Sequence, residues 1–164
     1  MQPNHRGFTL IEILIVIGII AVLATIVIIA VNPAKQFAQA RNTQREAGVN
    51  SILNAIGQRI ADNKGVFAGA FTATPPAVCG VLPTAPASST ITSTMAANTT
   101  EISGNLGCLV PTYISALPMD PIAGVGSSTG FTVSTGNAGR ITVCAPASAT
   151  ETSVPDVTTI CVTR

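Results

Sequence analysis

The hydrophobic and polar residues are unevenly distributed, and the longest apolar stretch lies near the amino terminus. No charged residue occurs between Ile13 and Ala34, whereas a transmembrane helix needs about 20 mostly apolar residues. Arg6 precedes the stretch and mostly polar sequence follows it. This pattern predicts a single membrane-spanning helix with its amino terminus on the cytoplasmic side.

Two other interpretations of this segment fit less well. A secretory signal has an apolar region of about 7–15 residues followed by a small-residue cleavage site. This run is longer, and no convincing site of that kind follows it. A buried core helix would need a later segment apolar enough to cover it, and the sequence contains none.

The pattern becomes amphipathic after the apolar run. Apolar residues then recur at helical spacing and form one stripe, namely Val49, Ile52, Leu53, Ile56 and Ile60. Polar residues are expected to keep the preceding turns solvated, namely Gln36, Gln39, Asn42, Arg45 and Glu46. Pro33 predicts either a kink near Asn32 or the first turn of a second helix. Lys64 and Gly65 predict the carboxyl-terminal stop.

The remainder of the chain is expected to cover this stripe. Residues 66–112 are typical of loops, and the hydroxyl-rich segment 83–100 is predicted to be an exposed loop. Residues 131–134 and 141–144 are β-formers on either side of a glycine-containing turn, which predicts a hairpin. Residues 157–162 predict a further strand. The predicted fold class is α+β, with a long amino-terminal helix packed on a small antiparallel sheet.

Composition and charge exclude several classes of function. The net charge is +1 and the chain has no Trp and one Tyr, which argues against a nucleic-acid interface. His5 is the only histidine, so Ser-His and Cys-His nucleophile pairs are absent. Four acids are interpreted as scattered surface groups rather than calcium ligands, namely Glu101, Asp120, Glu151 and Asp156. We therefore expect no enzyme activity, no cofactor and no metal.

Four cysteines follow the predicted anchor, namely Cys79, Cys108, Cys144 and Cys161. An even number of cysteines beyond a membrane segment favours export and disulfide formation. Pairing the first with the second and the third with the fourth closes two modest local loops, so this pairing is favoured. Free thiols in a reducing compartment are the alternative.

Glu12 stands at the start of the apolar run, where a carboxylate is costly to insert. It has no Lys or Arg within helical reach on its carboxyl-terminal side. Protonation, extension to the interface, or pairing with another chain would each resolve this. A tolerated acid near the interface is an equally good interpretation from the residues alone.

The segment Arg-Gly-Phe-Thr-Leu-Ile-Glu at residues 6–12, with the apolar run behind it, resembles the signature of type IV pilins and type II secretion pseudopilins. The resemblance covers residues 6–31. It implies that a membrane prepilin peptidase cuts between Gly7 and Phe8 and methylates the amine of Phe8. It also implies that Glu12 pairs with that amine in a neighbouring subunit during assembly.

The resemblance also implies how the chain is divided and where the subunit lies before and after assembly. Residues 1–7 would be the leader, 8–33 the transmembrane and assembly half of the helix, and 34–164 the extracytoplasmic head of a lollipop-shaped subunit. The subunit would lie in the cytoplasmic membrane and then enter a helical homo-oligomeric filament at the cell surface. Assembly-platform and motor proteins would be further partners, and no sequence-specific nucleic acid is expected.

Three functions remain open from the sequence. Paired carboxyl-terminal cysteines resemble those of many pilins and favour a pilus filament for adhesion, motility or DNA uptake. The Leu-Pro-Met-Asp-Pro segment at 117–121 resembles one found in secretion pseudopilins. A monomeric membrane-anchored domain that binds an extracellular ligand is the third possibility.

Overall fold

The computed structural model describes residues 7–70, 78–93, 104–136, 138–155 and 158–164. The chain divides into two compact units, Met1–Phe37 and Ala38–Arg164. Helix α1 spans Leu10–Val31 and helix α2 spans Pro33–Asp62. The strands are β1 (Gly69–Ala70), β2 (Val78–Cys79), β3 (Ser89–Thr92), β4 (Ser128–Thr135), β5 (Ile141–Ala145) and β6 (Ile160–Thr163). Two short 3₁₀ helices occupy Gly107–Leu109 and Pro146–Thr150.

The main sheet is antiparallel with strand order β3-β4-β5-β6, and β1 and β2 form a separate two-stranded pair. The predicted hairpin is present, with Val133 opposite Val143 in the β4–β5 ladder. The final strand is confirmed as β6, with Val162 opposite Val143. A long apolar helix followed by a small four-stranded antiparallel sheet confirms the predicted α+β class and fits a pilin-like layout.

The core of the second unit lies between α2 and one face of the main sheet. Val49, Ile52, Leu53 and Ile56 of the predicted stripe are buried, and Ile60 is partly buried against them. Alternate residues of β4 and β5 complete this core, namely Phe131, Val133, Ile141, Val143 and Ala145. The apolar stripe of α2, which follows the 3.6-residue helical period, therefore packs on the apolar face of the sheet, which follows the two-residue period of the strands.

Two expectations about loops were wrong. Ser89–Thr92 lies inside the segment predicted as an exposed loop, yet it forms β3, with Ile91 fully buried. The glycine-rich sequence of residues 124–130 predicts a flexible loop, but the last three of these residues belong to β4. The sequence Asn-Thr-Thr at residues 98–100 matches the N-glycosylation triplet, and it lies outside the described residues.

Candidate processing and assembly site

The start of α1 is fixed by a capping box between Thr9 and Glu12. The Thr9 hydroxyl accepts a hydrogen bond from the Glu12 backbone N–H at 3.3 Å. In return, the Thr9 backbone N–H donates to Glu12 Oε2 at 2.8 Å. The sequence Thr-x-x-Glu satisfies two of the otherwise unpaired N–H groups at a helix start. Helix α1 therefore begins immediately after Thr9.

The same contacts hold the Glu12 carboxylate in one orientation. Oε2 also accepts a hydrogen bond from the Thr9 hydroxyl at 2.9 Å, so this oxygen has two donors. Within the described part of the chain, Oε1 of Glu12 has no hydrogen-bond or ion-pair partner. One carboxylate oxygen is thus used locally, and the other is open to an external donor.

Gly7 and Phe8 lie just ahead of the helix and are exposed. Neither residue is helical, and the Phe8 side chain is 84% exposed. A peptidase needs the backbone free of regular hydrogen bonding, and exposed segments of this kind are where cleavage concentrates. The geometry therefore leaves the Gly7–Phe8 bond accessible. Arg6 and the rest of the amino-terminal segment lie outside the described residues.

Helix α1 is apolar on all sides. Its 22 residues give a length of about 33 Å at 1.5 Å per residue, comparable with the ~30 Å hydrocarbon core of a bilayer. None of them is buried by protein. The hydroxyl of Thr25 donates to the Ala21 carbonyl at 2.9 Å, which satisfies this polar group within the helix. Of the described helices, α1 alone is long and apolar enough to cross a membrane.

The junction between α1 and α2 is a single residue, Asn32. Its backbone is left-handed, with φ 45° and ψ 77°, which terminates α1. Its carbonyl and its side-chain Oδ1 both accept the Lys35 N–H, at 3.1 and 3.3 Å, which caps α2. Pro33 is the first residue of α2. Of the two predicted effects of this proline, the structure therefore shows the start of a second helix.

A buried ionic network joins α2 to two distant loops. The Arg45 side chain is fully buried and donates from Nε to Asp120 Oδ2 at 2.6 Å and from Nη1 to Glu151 Oε1 at 2.7 Å. Asn42 accepts a further bond from Nη1 at 2.8 Å. Arg41 also contacts Glu151, with Nε at 2.8 Å from Oε1, the oxygen it shares with Arg45, and Nη2 at 2.6 Å from Oε2. Two cations and two carboxylates therefore balance each other.

Each charge in this network stabilises its partners in the ionised form. Hydrogen bonds from Arg41 and Arg45 lower the pKa of Glu151 to about 2. Burial opposes ionisation of Asp120, but bonds from Arg45 and the N–H groups of Ala123 and Ile122 outweigh it and lower its pKa. Burial likewise works against the charge of Arg45, yet its two carboxylate partners raise its pKa overall. The network is therefore ionised at neutral pH.

Comparison with known proteins finds one family model that the amino-terminal segment matches. Residues 2–28 match the prokaryotic N-terminal methylation motif. This motif is the hallmark of type IV pilins and pseudopilins. It implies processing by a prepilin peptidase and pilus-type assembly, and with the apolar helix it indicates membrane anchoring. No curated protein and no solved structure matches the chain.

The methylation motif contains a feature that the sequence prediction missed. Protonation, extension to the interface, pairing with another chain and a tolerated position near the interface were the interpretations of Glu12, and none of them included its local partner Thr9. The signal was available, since Ser or Thr followed three residues later by Glu before an apolar run is typical of a helix start. The motif thus encodes the beginning of its own helix.

The buried network corrects two further interpretations. Asp120 and Glu151 were interpreted as surface acids, but their side chains are 0% and 6% exposed. Arg45 was expected to keep α2 solvated, but it is the largest fully buried side chain. No local pattern marks Arg45, because its partners lie 75 and 106 residues further along. Glu101 and Asp156 lie outside the described residues.

Two disulfides brace the second unit of the chain. Cys79 is bonded to Cys108 and Cys144 to Cys161, the pairs favoured by the short loops. The second bond links neighbouring strands, since Cys144 lies opposite Cys161 in the β5–β6 ladder. Within the described ranges, no group of three or more His, Cys, Asp or Glu side chains is arranged to hold a metal ion.

Proposed function

We propose that the protein is a structural subunit of a type IV pilus, which polymerises through its amino-terminal helix. The observation that carries this proposal is the methylation motif together with the helix that it contains, whose apolar surface is wholly exposed. Such a surface needs lipid before assembly and protein after it, because exposing it to water is unfavourable. A filament in which these helices bundle supplies the second environment.

Processing prepares the subunit for this transfer. Prepilin peptidase cuts between Gly7 and Phe8 and methylates the new amine of Phe8. That amine carries a positive charge, and in a staggered neighbouring subunit it meets Glu12. The open Oε1 of Glu12 supports this pairing, since Thr9 already satisfies Oε2. The resulting charge-assisted hydrogen bond in a dry core sets the stagger between subunits.

The subunit has no catalytic role in this proposal, and the pilus serves surface adhesion, motility or DNA uptake. Residues 1–7 are the leader, 8–33 anchor and assemble, and 34–164 form the extracytoplasmic head. The amino terminus lies in the cytoplasm before cleavage, and the assembled filament lies at the cell surface. An assembly platform and motor proteins drive the transfer between these two places.

Filaments sheared from cells that express the chain test this proposal. Mass spectrometry of the preparation is expected to show the subunit beginning at a methylated Phe8. A Gly7→Val variant, whose side chain obstructs the scissile bond, should remain uncleaved and absent from filaments. Recovery of the wild-type chain only from membranes, with Met1 intact, would contradict the proposal.

A secretion pseudopilin is the second candidate, favoured by the Leu-Pro-Met-Asp-Pro segment at 117–121. Its Asp120 is the buried partner of Arg45, so this segment has a structural role in the head. Deletion of the chain distinguishes the two functions. Loss of surface filaments with normal exoprotein secretion is expected for a pilin. Retention of exoproteins in the cell by the deletion strain would favour the pseudopilin.

A further inference from the structure

The two disulfides of the second unit differ in their exposure to solvent. Cys79 and Cys108 are 1% and 6% exposed and belong to the hydrophobic core. Cys144 is half-buried, and Cys161 is exposed. A thiolate must reach a sulfur atom to open a disulfide, so access controls the rate of exchange. The Cys144–Cys161 bond is therefore the one that a thiol in solution can attack while the chain is folded.

The exposed bond lies on the outer face of the main sheet, which is the face away from α2. Alternate residues point to opposite faces of a strand, and Val143 and Ala145 of β5 face the core. Cys144 therefore faces outward, and Cys161 lies directly opposite it on β6. In the part of the chain that the structure describes, β6 is an edge strand of this sheet. The bond is thus open both from above the face and from the edge.

Small side chains without charge surround the bond on this outer face. Thr132 of β4 lies opposite Cys144, on the side away from β6. Thr142 and Thr163 form the next outward-facing pair of β5 and β6, and their hydroxyl oxygens are 2.8 Å apart. None of these three neighbours is large or acidic. They therefore neither cover the sulfur atoms nor repel an approaching thiolate.

Strand β6 is also held in place by contacts other than the disulfide. Ile160 packs against the core, and its N–H donates to the Ser148 hydroxyl at 2.9 Å. At the other end of the strand, the Arg164 guanidinium donates to the side-chain carbonyl oxygens of Asn50 and Asn54 on α2. Opening the disulfide therefore leaves β6 paired with β5, and the two cysteines remain opposite each other.

We propose that Cys144–Cys161 is a thiol-exchange site of the folded protein and that its ligand is a low-molecular-weight thiol. The thiolate of the small molecule attacks Sγ of Cys161, the more exposed of the two cysteines. A new S–S bond forms there, the Cys144–Cys161 bond breaks, and Cys144 leaves as a thiolate that takes a proton from water. One disulfide is consumed and one is made, so the step needs no net oxidant or reductant.

The modification is reversible, because the β5–β6 ladder keeps Cys144 beside the modified Cys161. The Cys144 thiolate can attack Sγ of Cys161 and release the small thiol. A nucleophile held in this position acts at a high effective concentration. The site therefore carries the small thiol when that thiol is abundant and closes again when it is removed. The buried Cys79–Cys108 bond stays closed throughout.

Glutathione exchange on the purified full chain in detergent tests the site. The chain is incubated with reduced glutathione at mildly alkaline pH, quenched in acid and freed of excess thiol. Free cysteines are then labelled with a maleimide, and peptides are mapped by mass spectrometry. We expect glutathione on Cys161, maleimide on Cys144 and an intact Cys79–Cys108 bond. Exchange should be at least about tenfold faster at the exposed bond, since the buried one must wait for local unfolding.

Two matched comparisons separate access from other causes. In urea, where the fold no longer protects Cys79–Cys108, both bonds should exchange at similar rates. Thr132→Glu places a negative charge beside Cys144 and should slow exchange with the anionic glutathione several-fold. Thr132→Gln has nearly the same shape and should leave the rate unchanged. The circular dichroism spectrum of the exchanged wild-type chain should match that of the untreated chain, because other contacts hold β6.

Several results would overturn the proposal. The exchange site would be wrong if Cys79–Cys108 opened first, if both bonds exchanged equally in the folded chain, or if neither bond exchanged before urea was added. Glutathione on Cys144 would contradict the assigned direction of attack. Equal rates in the two Thr132 variants would contradict approach from the outer face, and a collapsed spectrum would contradict reversibility. These outcomes leave the proposed function untouched, because it is tested by sheared filaments.

Discussion

Glu12 and Arg45 are both charged residues in apolar surroundings, and the chain accommodates them in opposite ways. Glu12 is exposed at the start of α1, and its partner is Thr9, three residues away. Arg45 is fully buried in α2, and its carboxylate partners come from loops 75 and 106 residues away. Glu12 keeps one oxygen without a partner in the described part of the chain, while Arg45 is satisfied from several directions.

This difference indicates whether each charged residue can stabilise its own fold or contact another molecule. A charge that is fully paired within its own fold stabilises that fold and has little left to offer another molecule. A charge with half of its hydrogen-bonding capacity open is suited to a contact between molecules. We therefore expect substitutions at Glu12 to affect assembly and substitutions at Arg45 to affect stability.

The largest expected effect is the loss of filaments in Glu12→Ala. The variant should still be inserted and cleaved, but its filament yield should fall by at least about tenfold, because a charge-assisted contact is lost. Glu12→Gln is the matched control that separates the two roles of this residue. Gln can still form the capping box, but it carries no charge. Quantitative immunoblots of sheared filaments provide the measurement. Normal yield in both variants would show that Glu12 is not the assembly contact.

Arg45→Ala is expected to destabilise the head severely. Asp120 would remain buried without its cation while Glu151 would keep only Arg41, and breaking a buried pair in this way typically costs about 3–5 kcal/mol in the free energy of unfolding. Urea titration of the purified full chain in detergent, followed by circular dichroism, measures this loss. Arg140→Ala removes an exposed arginine and should change stability by less than about 0.5 kcal/mol. Equal effects of the two substitutions would contradict the assigned role of the network.

The network also predicts acid sensitivity. The pKa of Glu151 falls from 4.5 to about 2 on folding. A lowered pKa contributes stability that is fully present above pH 4.5 and is lost as the pH falls towards 2. The free energy of unfolding should therefore decline as the pH falls over this range. This decline should be smaller than the loss of unfolding free energy caused by Arg45→Ala. Glu151→Gln should flatten the decline, and an unchanged pH profile in that variant would argue against the ion pairs.

Two glycines of α2 provide a smaller and more local test of the packing. A Cβ on Gly48 would lie 2.9 Å from Cζ of Phe131, while a Cβ on Gly57 would meet nothing within 4 Å. Gly48→Ala should therefore cost about 1–3 kcal/mol through overpacking. Gly57→Ala should stabilise the helix by about 0.5–1 kcal/mol. Thermal unfolding of both variants measures the direction of each change in stability. A change in the same direction for both variants would mean that α2 does not pack on β4 at Gly48.

Features encoded by neighbouring residues could be predicted from the sequence. The stripe on α2 follows from helical spacing, and the break at Asn32 follows from Pro33. The end of α2 near Lys64 follows from Gly65: both residues have positive φ, and the Gly65 N–H donates to the Ile60 carbonyl at 2.9 Å. In each case, the signal and the structure lie within one or two turns of the helix.

Features that depend on distant residues could not be predicted in the same way. Arg45 has the sequence neighbours of a solvated residue, and only the tertiary fold brings Asp120 to it. Strand β3 has a single buried apolar residue, Ile91, among hydroxyl-bearing ones, so its composition is typical of a loop. Its identity as a strand comes from pairing with β4, as in the register of Thr90 with Thr132.

The capping box at Thr9 lies entirely on one side of the proposed cleavage site. Each of its hydrogen bonds joins Thr9 to Glu12, on the carboxyl-terminal side of the Gly7–Phe8 bond. Cutting that bond therefore takes away none of the atoms that define where the helix begins. Under the proposed function, the precursor and the mature subunit would therefore share the same helix start, and removal of residues 1–7 would require no refolding of α1.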